Sequence, residues 1–277
     1  MRQSTYGVMA AAFGLIATPI VSQACCLTDD DRTVQMPRVG LAERSPTAPN
    51  VSQHPDWKVY RFERDGIQYL QVNQPSGEVE LAFGKLEDAY WTLPMGREDA
   101  LVTLPHQRKN VPSGTGRTTV FSGEDFALHR YGIGEAAVWS MEVATAQGSK
   151  PVPTACCPGK DHLAQFVRIG LGNSAPDAPD LSLSPEWHVY GFERDGAEYI
   201  QINDGAGGVH LAIGKMGGEF WALPAGASEV PISLPHQVIL PPADASRVLV
   251  YENPEFKLHH HRGAEESLWS VQTSSSP

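Results

Sequence analysis

The sequence predicts an all-β protein built from two tandem homologous antiparallel β domains, each a sandwich or a small barrel. A long internal repeat, short alternating segments between turn residues, and the lack of any long apolar run with helical period together predict this fold. Residues 57–66 (WKVYRFERDG) return 130 positions later as residues 187–196 (WHVYGFERDG). A repeat of this length exceeds any solenoid unit and indicates two copies of a whole domain.

The same offset relates other parts of the chain. Residues 104–107 (LPHQ) return as residues 234–237, and the six tryptophans form the pairs Trp57/Trp187, Trp91/Trp221 and Trp139/Trp269. We therefore predict a first copy at residues 25–150 and a second at residues 151–277. The boundary is expected within residues 146–154 (AQGSKPVPT), just before the second cysteine pair.

Residues 1–24 are predicted to be a cleaved signal peptide. Arg2 supplies the positive start, residues 7–21 the apolar stretch, and Ala24 the small residue before cleavage. The stretch is too short for a lasting transmembrane helix, so we expect a periplasmic or secreted protein without a membrane span. Cleavage after Ala24 would expose Cys25, which makes a lipoprotein an alternative, although Ser22 stands where a lipobox has Leu.

The four cysteines form two adjacent pairs, one at the start of each copy: Cys25, Cys26, Cys156 and Cys157. Adjacent cysteines are too close for an unstrained bridge, and an oxidising compartment favours disulfides. We therefore expect crosswise bridges between the copies. A four-thiolate zinc site is the alternative, although its usual spacing is absent.

Each copy is predicted to begin with a proline-rich arm, at residues 43–55 and 173–185, packed on its domain. Asp65-Gly66 then predicts a tight hairpin turn between the first two strands, with solvated neighbours. Eight short strands are expected in the first copy, with equivalents in the second: residues 57–62, 67–73, 79–83, 90–93, 101–104, 118–121, 126–131 and 138–143.

The amino-acid composition limits the kinds of partner that the protein is expected to bind. The chain has 21 Lys and Arg against 32 Asp and Glu, a net charge of −11. Nucleic-acid binding depends on basic residues that contact phosphates, so this balance argues against it. An acidic surface attracts basic proteins, and we predict either a basic cell-envelope protein or a glycan as the partner.

Six side chains that recur in both copies are predicted to bind a ligand. Two amides spaced two residues apart on a strand share one face and suit sugar hydroxyls or a peptide backbone. Tryptophans next to Leu-Pro near a strand end are expected to be exposed, whereas the other four tryptophans are expected in the core. The predicted residues are Gln71, Asn73, Trp91, Gln201, Asn203 and Trp221.

Histidines offer a weaker metal hypothesis. Alternation along a strand lets His259 and His261 face one side, where His236 would complete a three-imidazole zinc site. Tyr131 stands where the second copy has His261, so the first copy lacks this ligand. The competing interpretation is a surface strand that happens to be rich in histidine.

No recognised catalytic motif is present, and Gly214-Lys215 lacks the glycine and hydroxyl residue of a phosphate loop. We expect a non-catalytic exported binding protein without a cofactor, of the kind that inhibits a basic cell-wall-active enzyme or toxin. A glycan- or peptidoglycan-binding module is the first alternative, and a metal- or carboxylate-dependent hydrolase is the second. The copies are expected to pack as a pseudo-dimer, with bivalent binding as the alternative.

Overall fold

The computed structural model describes residues 36–107, 111, 114–143, 161–226, 230–264 and 266–274. The predicted signal peptide, all four cysteines and the predicted boundary between the copies lie outside these ranges. Within them, the only helix is a short 3-10 helix at Asp161–Gln165, which is far too short to cross a membrane.

The first copy contains the eight predicted strands, arranged in two four-stranded sheets. The first sheet has the order β1-β2-β3-β4 and is antiparallel throughout. The second has the order β5-β8-β7-β6, in which β5 runs parallel to β8. The bounds are β1 Lys58–Arg64, β2 Ile67–Asn73, β3 Val79–Leu86, β4 Ala89–Gly96, β5 Leu101–Thr103, β6 Arg117–Ser122, β7 Phe126–Tyr131 and β8 Val138–Val143.

The second copy repeats this topology, which confirms the all-β tandem fold with one parallel strand pair in each copy. Its sheets have the orders β12-β11-β10-β9 and β13-β16-β15-β14, and β13 is parallel to β16. The bounds are β9 Trp187–Arg194, β10 Ala197–Asp204, β11 Val209–Met216, β12 Glu219–Ala222, β13 Ile232–Ser233, β14 Ser246–Glu252, β15 Phe256–Arg262 and β16 Ser267–Thr273. We call β1–β4 and β9–β12 the inner sheets, and β5–β8 and β13–β16 the outer sheets.

Each copy is a β-sandwich with its own apolar interior. In the first copy, Val59 and Phe83 of the inner sheet pack with Leu128 and Trp139 of the outer sheet. The second copy has the equivalent cluster, which includes Val189, Ile213, Leu258 and Trp269. Alternate residues of each strand face this interior. The period of two in the apolar residues therefore determines which face of each strand turns inward.

A third apolar core lies between the copies, because the inner sheets pack face to face. Tyr60 and Phe62 point away from the first interior and join Phe192 and Tyr199 of the second copy. The inner sheets are therefore buried on both faces, as the nearly continuous burial of β2 and β10 shows. This packing is that of the expected pseudo-dimer.

The hairpin turns reach across to the opposite copy. Asp65 and Asp195 have φ values of 55° and 54° and each precedes a glycine with positive φ, which confirms the predicted hairpin turn. The Asp65 carboxylate accepts a hydrogen bond from the Ala222 amide at 3.1 Å, and Asp195 accepts one from the Thr92 amide at 3.0 Å. Arg64 is only 5% exposed and donates to a carbonyl of the second copy, so the expectation of solvated neighbours is wrong there.

The residues just before the proline-rich arms also connect the copies. The Leu41 amide donates to the Pro224 carbonyl at 2.8 Å, and the Leu171 amide donates to the Pro94 carbonyl at 2.9 Å, which are equivalent bonds in the repeat. The arms themselves pack on their own domains, because backbone hydrogen bonds join them to β1 and β9. The prediction that the arms are packed parts of the fold is confirmed.

Candidate functional site

The amides predicted to bind a ligand form hydrogen bonds to the arm segments. The Gln71 side-chain oxygen accepts a hydrogen bond from the Ala42 amide at 2.6 Å, and its NH₂ group donates to the Glu43 carbonyl at 2.9 Å. The same NH₂ group donates to the Asn73 side-chain oxygen at 2.8 Å. Both side chains are fully buried, so the arm occupies the hydrogen-bonding positions that a ligand would use.

The second copy repeats the arrangement. Gln201 accepts from the Gly172 amide at 2.6 Å and donates to the Asn173 carbonyl at 2.7 Å. Asn203 donates to the Ser174 carbonyl at 2.9 Å. Both amides are fully buried. The repeated spacing of the amides is thus a signal of arm attachment in both copies.

The tryptophans at the strand ends are not exposed, and that expectation is wrong. Trp91 and Trp221 are 3% and 7% exposed, and their ring centroids lie 6.1 Å apart across the interface between the copies. Each ring covers a glycine on the adjacent strand, where an added Cβ at Gly84 or Gly214 would lie 2.3 Å from the ring. Ligand binding by these tryptophans and the four amides stays a prediction, and it would require the interface or the arms to open.

The histidines of β15 alternate as predicted. His259 and His261 share the outward face, with ring centroids 6.3 Å apart, and His260 stacks on Trp269 at 4.6 Å. His236 is exposed, and it does not join the pair within ligand distance of one ion. The three-imidazole zinc site stays a prediction that this geometry does not favour.

A histidine and two carboxylates do converge elsewhere among the described residues. The His162 Nε2 lies 3.5 Å from Glu198 Oε2 and 3.9 Å from Glu255 Oε2. Lys215 Nζ, however, already lies 3.4 Å from the Glu198 carboxylate and also pairs with Glu255. An ammonium group in this position neutralises the carboxylates and repels a metal cation, so we interpret the group as an ion-pair network that anchors the 3-10 helix.

A cluster of polar side chains on the outward face of each outer sheet is the better candidate for a functional site. Its members alternate along the strands with core residues and therefore point away from the sandwich interior. An arginine, a histidine and a serine occupy equivalent positions in both copies: Arg117, His129 and Ser140 in the first, Arg247, His259 and Ser270 in the second. Both histidines and both serines are buried despite facing outward.

In the first copy, a carboxylate completes this group. Arg117 Nη2 lies 2.6 Å from His129 Nε2 and 3.2 Å from Glu142 Oε2. The Tyr131 hydroxyl donates to Glu142 Oε1 at 2.7 Å, and the Ser140 hydroxyl donates to the same oxygen at 3.4 Å. The guanidinium charge is thus matched by an internal carboxylate.

In the second copy, Gln272 replaces that carboxylate and His261 replaces the tyrosine. Arg247 Nη2 contacts His259 Nε2 at 2.9 Å and donates to Gln272 Oε1 at 2.5 Å. His261 Nε2 lies 2.8 Å from the Ser270 hydroxyl. Arg247 takes part in no ion pair within the described part of the chain, so its charge has no carboxylate partner there.

Burial keeps both outward histidines neutral. Desolvation, and next to it the charge of Arg247, lowers the pKa of His259 to about 4. The pKa of His261 is lowered for the same two reasons. At neutral pH the uncharged His259 ring can accept a hydrogen bond from Arg247, and the arginine remains the cation of the group.

A cavity of about 620 Å³ opens onto this group in the second copy. Arg247, His261 and Ser270 lie at its polar side, and the segment 238–242 (VILPP) forms an apolar wall. This volume is within the usual range of small-molecule sites, which combine apolar lining with a few polar groups. A cavity of about 600 Å³ between the arms is lined by Arg44, whose charge is paired with Glu78.

Sequence reasoning considered His259 and His261 only as metal ligands, and it missed Arg247, Ser270 and Gln272. The informative positions are those where the copies differ, above all Glu142 against Gln272 and Tyr131 against His261.

Comparison with protein-family models, curated protein sequences and solved structures finds no match. The geometry of the site is therefore the basis for the function proposed below.

Proposed function

We propose that the chain is a non-catalytic binding protein that holds a small ligand in the cavity on the outer sheet of its second copy. The observation that carries this proposal is the combination of an apolar wall with an arginine that has no carboxylate partner among the described residues, in a cavity of about 620 Å³. The inner sheets are occupied by the contact between the copies, which leaves the outer sheets as the faces available for binding.

Within the cavity, the Ser270–His261 pair is the arrangement that suggests nucleophilic catalysis. A serine nucleophile needs its histidine oriented by a third group, which is usually a carboxylate. Of the described acidic residues, none lies within ion-pair distance of His261. The pair is therefore better suited to hydrogen bonding a ligand than to activating a nucleophile.

The experiment compares a variant that fills the cavity with its counterpart in the first copy. Ala245 lines the cavity, and Thr115 occupies the equivalent position in the first copy. A fragment library screened by saturation-transfer NMR should give hits for the wild type and for Thr115→Trp that disappear in Ala245→Trp. Hits that persist unchanged in Ala245→Trp would refute binding at this cavity.

The narrower hypothesis of an inhibitor of a basic envelope enzyme rests on the net charge of −11. It calls for capture experiments from an envelope extract at low and high salt, because charge-driven binding weakens as salt rises. If capture were absent or insensitive to salt, this hypothesis would be rejected. The proposed small-ligand site would not be affected.

A further inference from the structure

We infer that the ligand is an amphipathic carboxylate, whose anionic head pairs with Arg247 and whose apolar chain lies along residues 238–242. This inference rests on the proposed ligand-binding function and adds the chemical class of the ligand. It follows from the difference between two copies of one fold, which present the same arginine in two settings.

The first copy shows which group this face accommodates. Its Glu142 carboxylate receives hydrogen bonds from the Arg117 guanidinium, the Tyr131 hydroxyl and the Ser140 hydroxyl. Three donors on three strands thus converge on one carboxylate. A built-in side chain occupies the position, so the first copy has no need of an external anion.

The second copy keeps two of the three donors and loses the carboxylate. Arg247 and Ser270 are retained, whereas Gln272 supplies a neutral amide oxygen. A guanidinium group carries five N–H donors and binds carboxylates through two parallel hydrogen bonds, and Arg247 contacts His259 and Gln272 through Nη2. Its other nitrogens, and a charge that no described carboxylate compensates, suit an external carboxylate.

The wall of the cavity suits an apolar chain. Val238 and Leu240 are 72% and 85% exposed, which is unusual for neighbouring aliphatic side chains on a surface. At the equivalent positions the first copy has Arg108 and Asn110. The apolar wall therefore occurs in the copy whose arginine has no carboxylate partner in the part of the chain that the structure describes. Each methylene group buried there should tighten binding about fourfold.

The test is calorimetric titration of the full chain with octanoate and decanoate, and with decan-1-ol and decylammonium as head-group controls. We expect decanoate to bind more tightly than octanoate, and the two control compounds to bind at least tenfold more weakly than decanoate. Gln272→Glu recreates the first copy's arrangement and should weaken decanoate binding at least tenfold, or about 1.4 kcal/mol. Arg247→Gln should have the same effect, whereas Arg117→Gln in the first copy should have none.

The outcomes separate this inference from the proposed function. Equal binding of decan-1-ol and decanoate, unaffected by Gln272→Glu, would overturn the carboxylate assignment and leave the cavity as a binding site. Decanoate binding that persists in both Ala245→Trp and Arg247→Gln would place decanoate elsewhere and overturn the inference, and the proposed function would fall as well only if the fragment hits also persisted in Ala245→Trp. If decanoate did not bind at all while library fragments still bound in the cavity, the inference alone would be rejected. Thermal unfolding of each variant checks that it folds.

Discussion

Replacing Trp91 by alanine should destabilise the protein by about 3–5 kcal/mol, because this ring fills the interface between the copies. Trp91 is 3% exposed and packs against Trp221. A tryptophan buries about 150–250 Å² of surface, and about 25 cal/mol for each Å² gives roughly 4–6 kcal/mol as an upper value. Measured losses for large aromatic residues replaced by alanine lie at about 3–5 kcal/mol, which sets the expected range.

The assay is urea unfolding followed by circular dichroism, with the free energy of unfolding compared between variant and wild type. Leu86→Ala serves as the control, since Leu86 is 45% exposed on the same inner sheet and should lose less than about 0.5 kcal/mol. A loss below about 1 kcal/mol for the Trp91 variant would refute the packing of the inner sheets against each other.

Three further predictions concern single positions. Gly214→Ala should cost about 1–3 kcal/mol in urea unfolding, because the new Cβ would meet the Trp221 ring, whereas Gly116→Ala, with nothing within 4 Å, should be nearly neutral. Asn203→Ala should cost about 1–3 kcal/mol by removing bonds to the arm, and unchanged hydrogen exchange of the arm amides would contradict this. Burial lowers the pKa of His260 to about 4, so the unfolded state binds more protons below its usual value of 6.5. Stability should therefore fall by about 1–2 kcal/mol between pH 6.5 and pH 4, and a His260→Gln variant with the same pH slope as the wild type would disprove this role.

Much of the fold could be predicted from local sequence patterns. The alternation of apolar residues gave all eight strands of the first copy, and Asp65-Gly66 marked its first turn, because both features depend on the geometry of neighbouring residues. The expected exposure of Trp91 was wrong for a different reason, and ligand binding at the predicted site residues stays a prediction. Gln71 and Trp91 have the side chains that a binding site needs, and burial by a distant arm and by the other copy decides their roles.

The amino-acid sequence by itself determined the duplication, the strands and their inward faces, since a repeat and a period of two are visible without knowledge of long-range contacts. Only the tertiary structure decided that the other copy covers the face of each inner sheet that points away from its own sandwich interior. It also decided that Arg117 meets the Glu142 carboxylate while Arg247 meets the Gln272 amide, because these contacts join residues on separate strands. Hydrophobic burial and charge pairing depend on which surfaces meet, and that is settled when the two copies fold against each other.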